Sequence, residues 1–195
     1  MADYTPSQTV GPFFAYSLTA EQYGYQFKSV AGAALAGAGT EGLSIRIEGR
    51  IFDGAGEPVN DAMVEIWQAD AQGRYAHPAA QRSSNAEFTG FGRCGTGTAH
   101  DCSFSFDTIR PGAPVEGEAP HINITVFMRG LLRQVHTRLY FADEEKANAA
   151  DPVLALVPQA RRHTLIAERS AATAPLTYRF DIHMQGARET VFFAL

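Results

Sequence analysis

Cysteine is scarce: 195 residues contain two, Cys94 and Cys102. They flank the stretch GTGTAHD, across which a bridge is geometrically conceivable. Two cysteines do not make a disulfide framework, and reduced thiols are the expectation for a chain that is not secreted. No run of about 18 apolar residues occurs, so no membrane-spanning helix is expected. The opening stretch MADYTPSQTVGPFF has no basic region followed by an apolar one, so a secretion signal is not expected either, and the chain reads as cytoplasmic. Charge of one sign never clusters: 16 Lys and Arg against 21 Asp and Glu leave a net charge of -5. Nucleic acid and anionic membrane surfaces are thereby excluded as expected partners, although one arginine can still receive a small anionic ligand. The chain also lacks a GxSxG elbow, a phosphate-binding glycine loop and a CxxC pair, which removes three common kinds of catalytic centre.

What is present is apolar residues, 45% of the chain, arranged with a period of two. In LSIRIEGRI, Leu43, Ile45, Ile47, Gly49 and Ile51 face one way and Ser44, Arg46, Glu48 and Arg50 the other, the signature of a strand with one buried face. AMVEIWQAD, CSFSFDTI, HINITVFM, QVHTRLYF, TYRFDIHM and TVFFA repeat the pattern. Residues 70–101 read as a long irregular excursion, usually functional inside a compact domain. Residues 29–41, rich in glycine and alanine, read as a loose connection. Short helices are expected at ADEEKANA and within 158–168. Seven or eight short strands with little helix imply an all-β fold, a sandwich of two mixed sheets with long loops, forming one domain over 1–195. Phe13, Phe14 and Tyr16 call for burial, so residues 1–16 are expected to form an ordered arm lying against something.

APHINITVFMRG carries the pair of greatest chemical interest. His121 and Asn123, two apart on a strand, share a face. Two imidazoles so placed would chelate a metal, but an amide in the second position adds no charge and does not complete a transition-metal site. His121 then reads as a hydrogen-bonded, half-buried histidine. The other five histidines show no ligand spacing, and Arg138, beside His136 on one strand face, would repel a cation.

Together, TPSQTVGPFF, GRIFDGAGEPVNDAMVEIWQADAQGRY, TIRPG, PHINI, HTRLYF and YRFDIHMQG with ETVFF resemble the intradiol ring-cleaving dioxygenases, from Thr5 to Phe193. In catalytic members two tyrosines and an HIH pair hold Fe(III). Here the PGPYPW-like segment reads PGAPVEG, with Ala113 and Pro114, and Asn123 replaces the second histidine. Tyr75 is read as falling outside the ligand set. On that reading three of four ligand positions are lost, and His121 and Asn123 are vestigial. The resemblance therefore implies the alpha chain of a two-chain member: no catalytic residue and no metal here, with Fe(III) bound by a partner beta chain. It implies protocatechuate and O2 as substrates, an arm (residues 1–16) packed on the partner, and a large hetero-oligomer of alternating alpha and beta chains. Gly11, Pro12 and Arg129, with Thr9 beside them, would line a substrate pocket shared with that partner. Gly11 would let backbone approach a flat ring, Pro12 would stiffen the wall, and Arg129 would attract the substrate carboxylate. Two other readings stay open: a non-catalytic, prealbumin-like binding module, and a self-sufficient intradiol enzyme with unusual ligands.

Overall fold

A computed structural model describes residues 6–11, 13–77, 87–170 and 174–194. Its nine strands are β1 (Ser44–Phe52), β2 (Met63–Gln68), β3 (Phe91–Gly95), β4 (Ser103–Ile109), β5 (His121–Phe127), β6 (Val135–Phe141), β7 (Ile166–Arg169), β8 (Leu176–Arg179) and β9 (Ile182–His183). They hydrogen-bond in the order β3-β2-β5-β6-β7-β8-β1-β4, with β9 beside β1. Pairing is antiparallel except at β6–β7, β1–β8 and β1–β9. The all-β expectation holds in its coarse form, mostly strands and few helices. The strands, however, run as one continuous curled path through β7, where two separate sheets were expected.

The period of two does what it implies. Ile45, Ile47 and Ile51 of β1 are buried, as are Phe104 and Phe106 of β4, Val64 and Ile66 of β2, and Ile122, Ile124 and Val126 of β5. All belong to one apolar cluster, so both halves of the curl enclose the same core. Burying each such side chain is worth about 1.5–3 kcal/mol, and no other term acts on so many residues at once. Gly49 is required at its place: a Cβ there would collide with the carbonyl of Phe180, whose N–H bonds Glu48 O at 2.8 Å.

Several local expectations change. The segment 190–194 is not a strand; Phe193 makes a single bridge to His136. The stretch 158–168 divides into a 3-10 helix, Gln159–Leu165, and β7. Helix α2 (Glu145–Ala150) falls where ADEEKANA placed one, and α3 (Pro152–Leu156) follows it directly. Within the expected excursion, Phe91–Gly95 is β3. The loose connection at 29–41 still contributes Leu35, fully buried, to the core. Beyond residue 13 the arm is helical: α1 (Phe14–Leu18) and a 3-10 turn, Ala20–Tyr23. Gln22 fastens it to the end of β3, donating to Gly95 O at 2.7 Å and accepting from Gly95 N at 2.8 Å.

Both cysteines carry free thiols, Cys94 buried and Cys102 partly so. Among the described residues no helix is long and apolar enough to cross a membrane.

Candidate functional site

The register of the β2–β5–β6 ladder determines which side chains meet. Asn123 pairs with Trp67 on one side and Arg138 on the other, and His121 pairs with Tyr140. While Ile122, Ile124 and Val126 turn into the main core, His121 and Asn123 point to the opposite face, as their spacing requires. A second apolar cluster, Ala119, Tyr140, Leu154, Val157 and Leu165, lies on that side. His121 is buried and Asn123 partly so.

Asn123 is spoken for at both ends. Its Nδ2 donates to the Tyr75 hydroxyl at 3.1 Å, and its Oδ1 accepts from Arg138 Nε at 3.1 Å. Tyr75 in turn stacks on Trp67, with centroids 5.6 Å apart. Tyr75, set aside in the sequence reading, brings its hydroxyl to Asn123, so whether a metal suits the cluster turns on the charges around it.

Two features of the described cluster do not suit a ferric ion. First, a cation is already built in. The Arg138 guanidinium sits beside Asn123 with Nη1 3.7 Å from Glu118 Oε2, so a trivalent ion there would face a fixed positive charge. Burial is the main cause that raises the Tyr75 hydroxyl, partly opposed by its bond from Asn123, and burial pushes Tyr140 to about 12. The Arg138 guanidinium acts in the other direction and lowers both phenols. Second, the neighbouring acids do not complete a site. Glu118, His121 and Asp151 offer ligand atoms within 4.8 Å of one another. Asp151, however, accepts from Val153 N (2.9 Å), Leu154 N (2.7 Å) and the Tyr140 hydroxyl (3.1 Å) through Oδ1, and from Ala119 N (2.8 Å) through Oδ2. It is the N-cap of α3 and a structural tie.

His121 Nδ1 lies 2.9 Å from Ala119 O. A carbonyl only accepts, so Nδ1 carries the hydrogen and the ring is held as one neutral tautomer. Burial, the largest cause, lowers its pKa below the ordinary 6.5. The sign follows: below 6.5 the unfolded chain takes up a proton that the native ring resists, so stability falls as pH drops from above 6.5 through the folded value. Urea denaturation at pH 7.5 and pH 5.5 should show wild type losing more stability than His121→Gln over that interval.

A second constellation forms at the far end of β5. The Gly130 N–H donates to Thr9 Oγ1 at 3.1 Å, which holds the arm against the β5–β6 turn. Gly11 O accepts from Phe14 N at 3.1 Å, and Phe14 packs on Phe127 with centroids 5.4 Å apart. Thr9, Gly11 and the Arg129 turn are thus brought together at one edge. Pro12 lies outside the described residues. Arg129 is exposed, and its Nε is ion-paired with Asp61 Oδ2. Next to it is a groove of about 170 Å³ lined by apolar residues such as Phe14, Phe127 and Leu132 and by Gln8, Arg133 and Gln134. A side chain at Gly11 would meet open space among the described residues. A larger depression of about 500 Å³ under the 3-10 turn, lined in part by Gln22, Ser29, Arg93 and Cys94, contains none of the pocket or metal-site candidates named from the sequence.

Comparison with known proteins adds the lineage. Residues 18–186 match the family model described as Dioxygenase. The protocatechuate 3,4-dioxygenase alpha chain of Burkholderia cepacia is 51% identical over 97% of this chain and 96% of its own length. The protocatechuate 3,4-dioxygenase beta chain of the same organism is 35% identical over 76% of this chain and 67% of its own. Among solved structures, the dioxygenase domain of a dioxygenase–carbohydrate-binding fusion from Streptomyces sp. SirexAA-E superposes with a TM-score of 0.60, at 23% identity, over 94% of this chain and 100% of that one.

Proposed function

Since the chain belongs to the dioxygenase family, of the intradiol ring-cleaving kind, we propose that it works as the iron-free alpha subunit of a protocatechuate 3,4-dioxygenase. The reaction is cleavage of protocatechuate by O2 between its hydroxyl-bearing carbons, giving 3-carboxy-cis,cis-muconate. The ring opens at that bond, all its carbons and both atoms of O2 are kept in the product, and activation of the catecholate would be the work of Fe(III) on a partner beta chain. The single observation that carries this reading is Arg138: a guanidinium inside the His121–Asn123–Tyr75 cluster makes it a closed structural network rather than a metal centre. A self-sufficient enzyme is therefore disfavoured. A prealbumin-like module is disfavoured by a relative that matches along nearly its whole length.

This chain's part is to complete the pocket. Arg129 supplies a positive charge for the substrate carboxylate. Thr9, Gly11 and Pro12 form a wall narrow enough, for want of side chains at Gly11, to lie against a planar ring. The partner covers what this chain leaves bare, notably Phe13, 75% exposed, and Leu132, 68% exposed, so that residues 1–16 form an arm packed on the beta chain. Chains 1–195 act as single domains, with the two halves of the curl as the layers of a sandwich, and alternate with beta chains in a large cytoplasmic assembly.

Arg129→Ala in the alpha–beta complex tests the pocket. A charge-assisted bond to a carboxylate is worth about 1.5–3 kcal/mol, so KM for protocatechuate should rise about tenfold or more. The iron's visible absorption should be unaltered, because no ligand is touched. An unchanged KM removes Arg129 from the pocket.

A further inference from the structure

We propose that Asp61 aims Arg129, making it a positioning residue for the carboxylate-bearing substrate; this rests on the pocket reading above. The ladder explains how the two meet. Met63 of β2 pairs with Phe127 of β5, and continuing that antiparallel register two residues outward sets Asp61 opposite Arg129. The pair is asymmetric: the Arg129 side chain is 62% exposed and that of Asp61 only 20%. The carboxylate is therefore the fixed member and the guanidinium the one that reaches out.

Which nitrogen is engaged matters. Asp61 Oδ2 takes Nε, the nitrogen nearest the stem. Among the described residues neither Nη1 nor Nη2 makes a hydrogen bond, so the terminal fork stays available for a second, two-point carboxylate contact. A long, exposed arginine otherwise wanders among rotamers, and that freedom has to be surrendered on binding. Anchoring Nε restricts the stem beforehand. It also carries a cost: the Asp61 charge partly offsets the guanidinium that attracts the anion. Gly130, the next residue along, is tied to Thr9 of the arm, so the turn bearing Arg129 is held from the backbone side as well. Asp61 thus selects for substrates with a carboxylate at the fork, and a catechol without one gains nothing from it.

The test is steady-state kinetics of the assembled alpha–beta enzyme with protocatechuate and with unsubstituted catechol. Asp61→Ala should raise KM for protocatechuate about fivefold, through lost pre-ordering, while kcat changes less than about twofold. Asp61→Asn keeps an oxygen acceptor for Nε without the charge, so its KM should return to the wild-type value or below it. For catechol, every Asp61 variant should shift KM less than about twofold. Asp61→Ser serves in place of Asp61→Ala if the latter does not assemble. The proposal falls if the alanine or serine variant leaves KM for protocatechuate unchanged, if asparagine is as impaired as alanine, or if catechol suffers equally. Arg129→Ala in the same assays separates the two claims. No effect from it overturns the pocket reading itself, whereas an effect there with none at Asp61 overturns only the aiming.

Discussion

Produced without a beta chain, the protein should turn over protocatechuate at less than about one-thousandth of the rate of the co-produced pair, because metal activation is worth several kcal/mol and, on the proposed reading, the centre that supplies it lies on the beta chain. The argument is electrostatic before it is a count of ligands. Tyr75, of a type that can hold ferric iron, reaches Asn123 at 3.1 Å, and Asn123 shares a strand face with His121. Between β5 and β6, however, the space for an ion is bordered by Arg138, whose Nε bonds Asn123 Oδ1 at 3.1 Å. Burial raises the Tyr75 phenol and lowers the His121 imidazole, whose Nδ1 hydrogen goes to the Ala119 carbonyl. A ferric ion there would have to lie against that fixed cation or expel it. Oxygen-uptake assays on the chain alone and on the co-purified pair, at equal chain concentration, measure this directly. Turnover by the isolated chain within tenfold of the pair would refute it.

Asp151→Ala should lower stability by about 3 kcal/mol or more, one of the largest single effects available in this fold. Asp151 is fully buried, and its two oxygens serve four donors: Val153 N, Leu154 N, the Tyr140 hydroxyl and Ala119 N. Alanine caps nothing and leaves those groups unsatisfied beside the second apolar cluster. Ala119 precedes β5 and its carbonyl holds His121, so the damage reaches the entry to that strand. For a chain of this length the melting temperature should fall by roughly 6–12 °C. Asparagine recovers only part of the loss, because its amide nitrogen cannot accept from the Ala119 N–H. Differential scanning calorimetry of the alpha–beta complex checks both variants. A shift for alanine no larger than that of an exposed control such as Glu145→Ala contradicts the assigned role.

The sequence made some of this legible and hid the rest for identifiable reasons. β1, β4 and β5 show a period of two unbroken by glycine pairs, and the buried residues are the ones that period selects. β3, FGRCG, has two glycines and an arginine in five positions, so it carries almost no alternation and disappears into the surrounding loop. Helix α3 had a readable start, Asp151 followed by Pro152 at the first helical position. Its five residues were too few to show a helical period, and the signal went unused. The single curled path depends on β7, a four-residue strand next to a 3-10 helix, and nothing local in IAER distinguishes strand from helix.

The site divides in the same way. That His121 and Asn123 share a face follows from strand geometry alone. That Arg138 lies against Asn123 depends on the register of β5 with β6, which joins residues 15 apart through the turn at 128–134. Tyr75 is further away still, 48 residues from Asn123, and sits on a loop whose path local sequence does not specify. Thr9, Gly11 and Arg129 were grouped by resemblance, and the bond from Gly130 to Thr9 gives that grouping a physical basis. Asp61 was missed, although its signal was available: once β2 and β5 are known to pair, their register sets it across from Arg129.

The most direct test of the central claim is the location of iron in the assembled protein, by anomalous scattering at the iron edge from crystals of the alpha–beta complex. One iron per alpha–beta pair is expected, ligated entirely by the beta chain, with Arg129 and Gly11 of this chain facing the bound substrate and Arg138 still bonded to Asn123. An anomalous peak between Tyr75 and His121, with Arg138 displaced from Asn123, would contradict the account.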